Sequence, residues 1–520
     1  MGLSATYERI LKSPHGSQFV LWLALWAFTA CVLLMGSWDS YLFDLWAHYD
    51  TNWFMMCGKA WAAGLTPYVD FADSKGPLLW LIYSVGYLIS PRDFTGVYWV
   101  STVIYSITFF YTYKGAYLLT GNRATAVLVM AVMAFLFLTK LIHDETRAED
   151  YCFAATMPVV YFLIAGTSAD TPSPSFARRA ALALGVCLGA TLLIKYSVTL
   201  MLLVAVPYFL VLLPQRLGYS PWRSVAWLTV GAAVVVLPIV VLLAAQGCLD
   251  DMINEYFLKT YQTIDNLQSD SMMDGRRLGL LISTPVVVYL VAIVTSVVIA
   301  ICSRRQLCWP LLVALAWSGL VIAINFKAPF YLQSLAPLAL PGVALAARRL
   351  NVALSRWPYR IAATVALVAL MAWGSNKTAF FTIAQGTTQR VYYYYAALMA
   401  QYDQPRVLYL NCNDRGSSIP AGGLPACKYW SKQVAPTPDM LEDQRQAVLQ
   451  RRADVIIVQT LDDESRRLLE QNGYQYYGPT AAGVNHYSRV LYSRVPLDTV
   501  RAAALQVTPR DVLTKRRLFP

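Results

Sequence analysis

The sequence predicts a polytopic α-helical membrane protein that carries a C-terminal α/β domain outside the membrane. Three features predict this class: long apolar segments, an uneven distribution of charge between the loops that join them, and a more polar composition after residue 375. Of the 520 residues, 57% are apolar and 14% are charged, whereas soluble proteins are about 25% charged. This composition excludes soluble, disordered, collagenous and coiled-coil proteins.

The apolar segments give the number of membrane spans. A bilayer core about 30 Å thick requires roughly 20 apolar residues in a helix. A further apolar stretch, 76–90, is shorter and ends at Pro91, and we expect it to form a helix at the membrane interface. We predict eleven spans, near 17–36, 94–113, 124–141, 152–167, 180–197, 198–213, 225–246, 280–301, 308–325, 330–347 and 360–374.

The charges of the loops indicate the orientation, because short cytoplasmic loops collect Lys and Arg. With the N-terminus inside, the inside segments hold fourteen basic residues against two acids, Glu8 and Asp170. The outside loops before the last span carry sixteen acids. Counting 76–90 as a span would place an acid-rich loop inside, so we exclude it. We therefore expect a multi-pass protein of the inner (plasma) membrane with a cytoplasmic N-terminus.

An odd number of spans leaves the tail outside. We divide the chain into a transmembrane domain, 1–375, with an outer loop at 37–93, and a soluble α/β domain, 376–520. Within the soluble domain, apolar runs predict buried strands and two polar segments predict amphipathic helices. The strands are expected at 406–411 and 453–459, and the helices at 440–452 and 462–473.

The tail has two further features, a pair of cysteines and a run of tyrosines. Cys412 and Cys427 are the two Cys of the tail. They could form a disulfide in an oxidising compartment or remain as two thiols. A run of four tyrosines at 392–395 is expected at the bilayer surface, where aromatic rings collect.

Two acid-rich outer segments contain the candidate functional residues, because ionisable groups near a membrane are costly without a task or a partner. In the loop 37–93, Asp50 opens an amphipathic stretch. The second segment is HDETRAEDY between the third and fourth spans. Its acids are Asp144, Glu145, Glu149 and Asp150.

The order of short motifs in these segments resembles a known family. Asp50 is followed by G-x-x-P-Y-x-D at 64–70 and by K-G-P-L at 75–78. An acidic loop, Lys195 near the end of the fifth span and the segment PFYLQSLAPLALPG at 329–342 come later. This order, over roughly the first 345 residues, resembles the GT-C glycosyltransferases of the protein mannosyltransferase and aminoarabinose transferase type.

The resemblance implies transfer of a sugar from a polyprenyl-phosphate carrier to a glycan, lipid or protein acceptor on the outer side of the membrane. Asp50 would act as the general base, since a sugar hydroxyl is a poor nucleophile. Lys75, Lys195 and Arg147 would hold the charge of the leaving lipid phosphate. The resemblance also implies inversion at the anomeric carbon. It implies neither a nucleotide-sugar donor nor a nucleic-acid partner.

The chain departs from the family pattern in two places. Many relatives have Glu after the first acid, where this chain has Thr51, so a second carboxylate would come from Asp144, Glu145 or Glu149. The family's K-P-P is K-G-P here, with Gly76 at its centre. No cofactor is required by the resemblance. A divalent metal ion remains an open alternative, with His48 and His143 beside the acids as its candidate ligands.

Simpler interpretations exist for each candidate. Asp50 could serve merely as a helix cap. Lys195 could simply extend toward the lipid headgroups. The acids of HDETRAEDY could pair with Arg147 in a solvated loop. Asp70 and Asp73 are expected to be turn residues. Two other functions remain as alternatives. One is a ligase or polymerase of lipid-linked oligosaccharides, and the other is a flippase or transporter of lipid-linked sugars, which predicts internal repeats.

Overall fold

The structure is a computed structural model. It describes residues 14–37, 39–40, 49–138, 147–167, 173–259, 283–325, 329–353, 390–414, 416–432, 436–459, 462–477 and 489–504.

Long apolar helices form the first part of the chain, where the sequence predicts spans. Their residues are apolar on most sides, as expected for helices that face lipid or one another. The helices are α1 (Pro14–Gly36), α2 (Tyr49–Ala62), α3 (Pro77–Ile89), α4 (Thr95–Thr120), α5 (Arg123–Leu138), α6 (Ala148–Gly166), α7 (Pro174–Ile194), α8 (Tyr196–Arg216), α9 (Pro221–Ala245), α10 (Leu249–Met252), α11 (Thr284–Ser303), α12 (Cys308–Asn325) and α13 (Leu340–Ala353).

In the part of the chain that the structure describes, six helices are long and apolar enough to cross a membrane: α6, α7, α8, α9 and most of α11 and α12. The predicted span 330–347 is not a continuous α-helix. It begins with a 3₁₀ segment, Pro329–Ala339, and only then becomes α-helical. Pro337 lies inside the 3₁₀ segment and cannot donate to an α-helical ladder. The predicted span 360–374 lies outside the described residues.

The short helices α2 and α3 pack directly on each other. Ser84 in α3 donates a hydrogen bond to the carbonyl oxygen of Gly58 in α2 at 2.7 Å. A Cβ atom at Gly58 would lie 2.6 Å from the backbone of Tyr83, so glycine allows this close approach. Helix α3 has 13 residues, shorter than the spans, as the stretch 76–90 predicts.

The tail contains a five-stranded mixed sheet with the order β2-β1-β3-β5-β4. The first three strands are parallel, whereas β5 runs antiparallel to β3 and β4. The two predicted strands and the two predicted helices are confirmed as β1, β3, α15 and α16. The elements are α14 (Arg390–Met399), β1 (Arg406–Leu410), β2 (Leu424–Pro425), α15 (Pro438–Leu449), β3 (Val455–Val458), α16 (Asp463–Gln471), β4 (Gln475–Tyr477), β5 (Val490–Ser493) and α17 (Thr499–Ala504).

One hydrophobic core joins the α/β domain and the short helices to the ends of several long helices, and a second core lies among the long helices. The rings of Trp53 in α2 and Trp430 after β2 lie 5.1 Å apart. The amide of Ala72 donates to the carbonyl oxygen of Lys428 at 3.0 Å. The tail therefore packs against the segment that begins with Asp50.

This core contains tyrosines and cysteines of the tail for which the sequence raises expectations. The expectation that the tyrosine run lies at the bilayer surface is wrong for Tyr394 and Tyr395, which are buried. The hydroxyl of Tyr395 donates to the carbonyl oxygen of Arg489 at 2.6 Å. Cys412 and Cys427 are both buried thiols, not a disulfide. The Cys412 thiol donates to the carbonyl oxygen of Ile457.

Candidate functional site

Asp50 lies in the first turn of α2, and Tyr49 begins this helix. Its carboxylate receives a hydrogen bond from the guanidinium of Arg147 at 2.9 Å, so the two form an ion pair. The side chain of Asp50 is 35% exposed, so the carboxylate remains accessible. Asp50 is therefore more than a helix cap.

The segment from 64 to 76 brings Lys75 to the same site. Tyr68 adopts φ of 64° and is fully buried against Trp80, with ring centroids 4.4 Å apart. Its hydroxyl donates to the carbonyl oxygen of Lys75 at 3.0 Å. Gly76 follows, and its amide donates to the carbonyl oxygen of Ile194 at 3.1 Å. The backbone of Lys75 is therefore fixed from both sides.

Lys195 lies at a break between two helices. Its extended backbone, with φ −156° and ψ 101°, separates α7 from α8. Tyr256 supports this break, since its hydroxyl donates to the carbonyl oxygen of Leu192 and accepts from the amide of Tyr196. Tyr256 is fully buried, so its role here is to hold the backbone at the break.

The ammonium of Lys195 is partnered inside the protein. It forms an ion pair with Glu149, whose side chain is 2% exposed. Its Nζ also lies 4.1 Å from the ring centroid of Tyr331, in cation–π geometry. The alternative of a solvated acidic loop is wrong for Glu149, and it is also wrong for Asp150, which is 1% exposed and accepts a hydrogen bond from the amide of Arg147.

These groups form one electrostatic cluster. Burial lowers the pKa of Lys75, but the carboxylates of Asp73 and Asp50 more than offset both burial and the repulsion from Lys195, so its pKa is raised. Lys75 is therefore charged at neutral pH. Its Nζ donates to Ser74 Oγ at 3.2 Å, and among the described residues it has no carboxylate within ion-pair distance.

The other predicted residues have the following places. Asp70 accepts from the amide of Thr66 and Asp73 from the amide of Ser74, so both are turn residues as expected. His48, His143, Asp144 and Glu145 lie outside the described residues. Within the described ranges, no three His, Cys, Asp or Glu side chains are grouped closely enough to hold a metal ion.

Sequence reasoning missed Lys59. It lies in α2 and is 2% exposed, and its Nζ has no hydrogen-bond partner among the residues that the structure describes. The charged groups around it are Asp414 and Arg92, and its Nζ lies 5.9 Å from the ring centroid of Tyr87. Burial lowers its pKa from 10.5 to about 7. Asp414 near this lysine belongs to a distant part of the chain. The residues close to Lys59 in sequence therefore could not show that it is buried.

We expect Lys59→Met to raise thermal stability most at low pH. The pKa of Lys59 is lower in the folded protein than in the unfolded chain. The unfolded chain therefore binds an extra proton above pH about 7, and stability rises with pH up to the unfolded pKa. Melting curves in detergent should show a higher Tm for the variant at pH 6 and a smaller difference at pH 9. Lys432→Met, at an exposed lysine, is the control, and an equal trend in both variants would contradict this expectation.

The buried pair of Glu149 and Lys195 gives a second prediction. Glu149→Gln deprives a buried ammonium of its carboxylate, so it should destabilise the protein by about 3–5 kcal/mol. Lys195→Met should do the same. The double variant Glu149→Leu with Lys195→Met should regain much of the lost stability, because no buried charge remains. Chemical unfolding in detergent measures all three, and additive losses in the double variant would disprove the pairing.

Over most of its length the chain is similar in fold to solved structures of ArnT, a GT-C glycosyltransferase. The chain is similar to ArnT from Cupriavidus metallidurans bound to undecaprenyl phosphate, with a TM-score of 0.61 and 15% identity over 92% of this chain and 98% of that chain. For the apo state of the same protein the TM-score is 0.58 and the identity 14%, over 93% and 99% of the two chains. No family model matches the sequence. No curated protein matches it either.

Proposed function

We propose that this protein transfers a sugar from a polyprenyl-phosphate donor to a glycan, lipid or protein acceptor outside the cytoplasm. The observation that carries the proposal is the convergence of Asp50, Lys75 and Lys195 at one site. The solved relative that binds undecaprenyl phosphate supports a lipid-phosphate donor. The charge distribution of the loops supports an outward-facing site in the inner (plasma) membrane.

In the proposed reaction, Asp50 accepts the proton of the acceptor hydroxyl as its oxygen bonds to the anomeric carbon. The bond from that carbon to the phosphate oxygen breaks in the same displacement, and the electron pair leaves with the lipid phosphate. The configuration at the anomeric carbon inverts. Arg147 orients the carboxylate through their 2.9 Å contact. A positioned base of this kind contributes roughly 10²–10⁴-fold to a rate.

Lys75 is the best candidate to hold the leaving phosphate. Lys195 is paired with Glu149, and Arg147 with Asp50. Lys75 is charged, and it donates to a neutral hydroxyl. A phosphate oxygen that arrives here meets a cation without first breaking an ion pair among the described residues. Lys195 adds positive charge nearby, and its ion pair keeps the ammonium in place.

The deciding experiment follows release of the free lipid phosphate. Purified protein in nanodiscs is given a panel of polyprenyl-phosphate monosaccharides, with and without candidate acceptors. We expect release that depends on the sugar and is stimulated by an acceptor. Binding without turnover across the panel would favour a transporter. Turnover only of diphosphate-linked oligosaccharides would favour a ligase or polymerase.

A further inference from the structure

A cavity of about 460 Å³ lies where three segments meet, outside the Asp50 site. Val69 and Asp70 line it from the outer loop, and Lys259 lines it from the helical turn Ile253–Lys259. Its volume is in the range of small-ligand sites, about 300–1,000 Å³. From the α/β domain, the cavity is lined by Arg406, Lys428, Tyr429, Asp439, Asp443 and Arg452, among others.

The walls of this cavity are held in place by a buried carboxylate. Glu255 is 7% exposed. It accepts hydrogen bonds from the hydroxyl of Tyr429 at 2.8 and 2.9 Å, and it pairs with the ammonium of Lys428 at 2.8 Å. These contacts join the helical turn to the α/β domain. The cavity is therefore preformed, which reduces the entropy lost when a ligand binds.

The charges in the cavity balance, which favours a neutral ligand. The lining holds the cations Lys259, Arg406, Lys428 and Arg452 and the carboxylates Asp70, Asp439 and Asp443, and the buried Glu255 supplies a fourth carboxylate. Arg406 donates to the carbonyl oxygen of Pro425 at 3.1 Å. Lys259 pairs with Asp439 at 2.6 Å, and Arg452 pairs with Asp443 at 3.1 Å. Lys428 is neutralised by Glu255, as described above. An isolated phosphate would have to compete with these carboxylates. A polyhydroxylated ligand could instead use carboxylates as acceptors and Lys or Arg as donors. Tyr429 is 4% exposed and the ammonium groups of Lys259 and Lys428 lie over its ring, so the ligand would contact mainly these polar groups.

We propose that this cavity binds a neutral saccharide, and that this saccharide belongs to the acceptor. The inference rests on the proposed transferase function, since a transferase needs a place for the acceptor on the outer side. The cavity shares the outer loop with the donor site: Asp50 and Lys75 lie at the two ends of the segment that carries Val69 and Asp70. A bound acceptor would thus lie beside the segment that holds the base.

Saturation-transfer NMR on the full chain in nanodiscs tests this proposal. The probes are neutral mono- and disaccharides of hexoses, pentoses and N-acetylhexosamines, with inorganic phosphate as the competitor. Val69→Cys places a thiol on the cavity wall, where a bulky maleimide would block entry. Leu441→Cys is the matched control, because Leu441 is 49% exposed on α15 and does not line the cavity. Wild type treated with the same maleimide shows whether labelling of the native thiols changes binding.

We expect saturation of at least one saccharide by the wild type, unchanged by labelled Leu441→Cys. The signal should be at least fivefold weaker in labelled Val69→Cys than in the same variant without the label. No saturation across the panel, or equal signals in both labelled variants, would overturn the proposal. Displacement of the saccharide by phosphate would show an anion site instead. Donor turnover in the same samples is measured separately. Its absence in wild type would count against the transferase, whereas saccharide binding reports on the cavity.

Discussion

Asp50→Asn should lower the kcat of sugar transfer by about 10²–10⁴-fold, the usual contribution of a general base. The amide keeps the shape of the side chain and can still accept a hydrogen bond from Arg147, but it cannot accept the proton of the acceptor hydroxyl. Donor binding should change little, because Lys75 and Lys195 are untouched. Release of lipid phosphate gives kcat, and equilibrium binding of the polyprenyl-phosphate sugar gives Kd.

A comparison with Arg147→Met separates catalysis from structure. If Asp50 serves only as the partner of Arg147, Asp50→Asn should lose no more activity than Arg147→Met, and the double variant should lose no more than Arg147→Met alone. If Asp50 is the base, Asp50→Asn should be much less active than Arg147→Met. Unchanged turnover in Asp50→Asn would move the base to the segment HDETRAEDY, where Asp144 and Glu145 are the further candidates.

The sequence predicts the candidate residues better than it predicts their partners. Asp50 and Arg147 are separated by 97 positions, and each stands out in its own loop. The ion pair of Glu149 and Lys195 likewise joins two distant segments. The sequence shows each residue as charged but does not show that they are partners. Pairing depends on how the helices pack, and helix periodicity does not specify which helices are neighbours. The sequence could therefore single out candidate residues, but it could not predict the contacts between them.

Other features could not be predicted because a distant segment determines them. The tyrosine run lies near the start of the tail, where aromatic residues suit a membrane surface as well as a core. The structure places Tyr394 and Tyr395 in the core. Lys59 looks like a surface charge on an amphipathic helix, yet it is buried. The network around Glu255 depends on Lys428 and Tyr429, more than 170 positions further along the chain.

Gly76→Ala should lower transfer activity by about 10²-fold, the loss expected from a displacement of about 1 Å at a reacting site. A Cβ atom at this position would lie 2.1 Å from the carbonyl oxygen of Leu193, a distance at which something must shift. The backbone there is tied by the hydrogen bond from Gly76 to Ile194. Any shift moves Lys75 relative to Lys195, so the KM for the donor should rise and kcat should fall.

Gly76 is also the position at which K-G-P departs from the K-P-P of the family that the sequence resembles. Proline at 76 has no N–H and would lose the hydrogen bond to Ile194. Gly319→Ala is the control, because nothing lies within 4 Å of a Cβ atom there. It should keep full activity, and a melting curve verifies that both variants fold. Full activity in folded Gly76→Ala would show that Lys75 does not depend on this close approach to the end of α7.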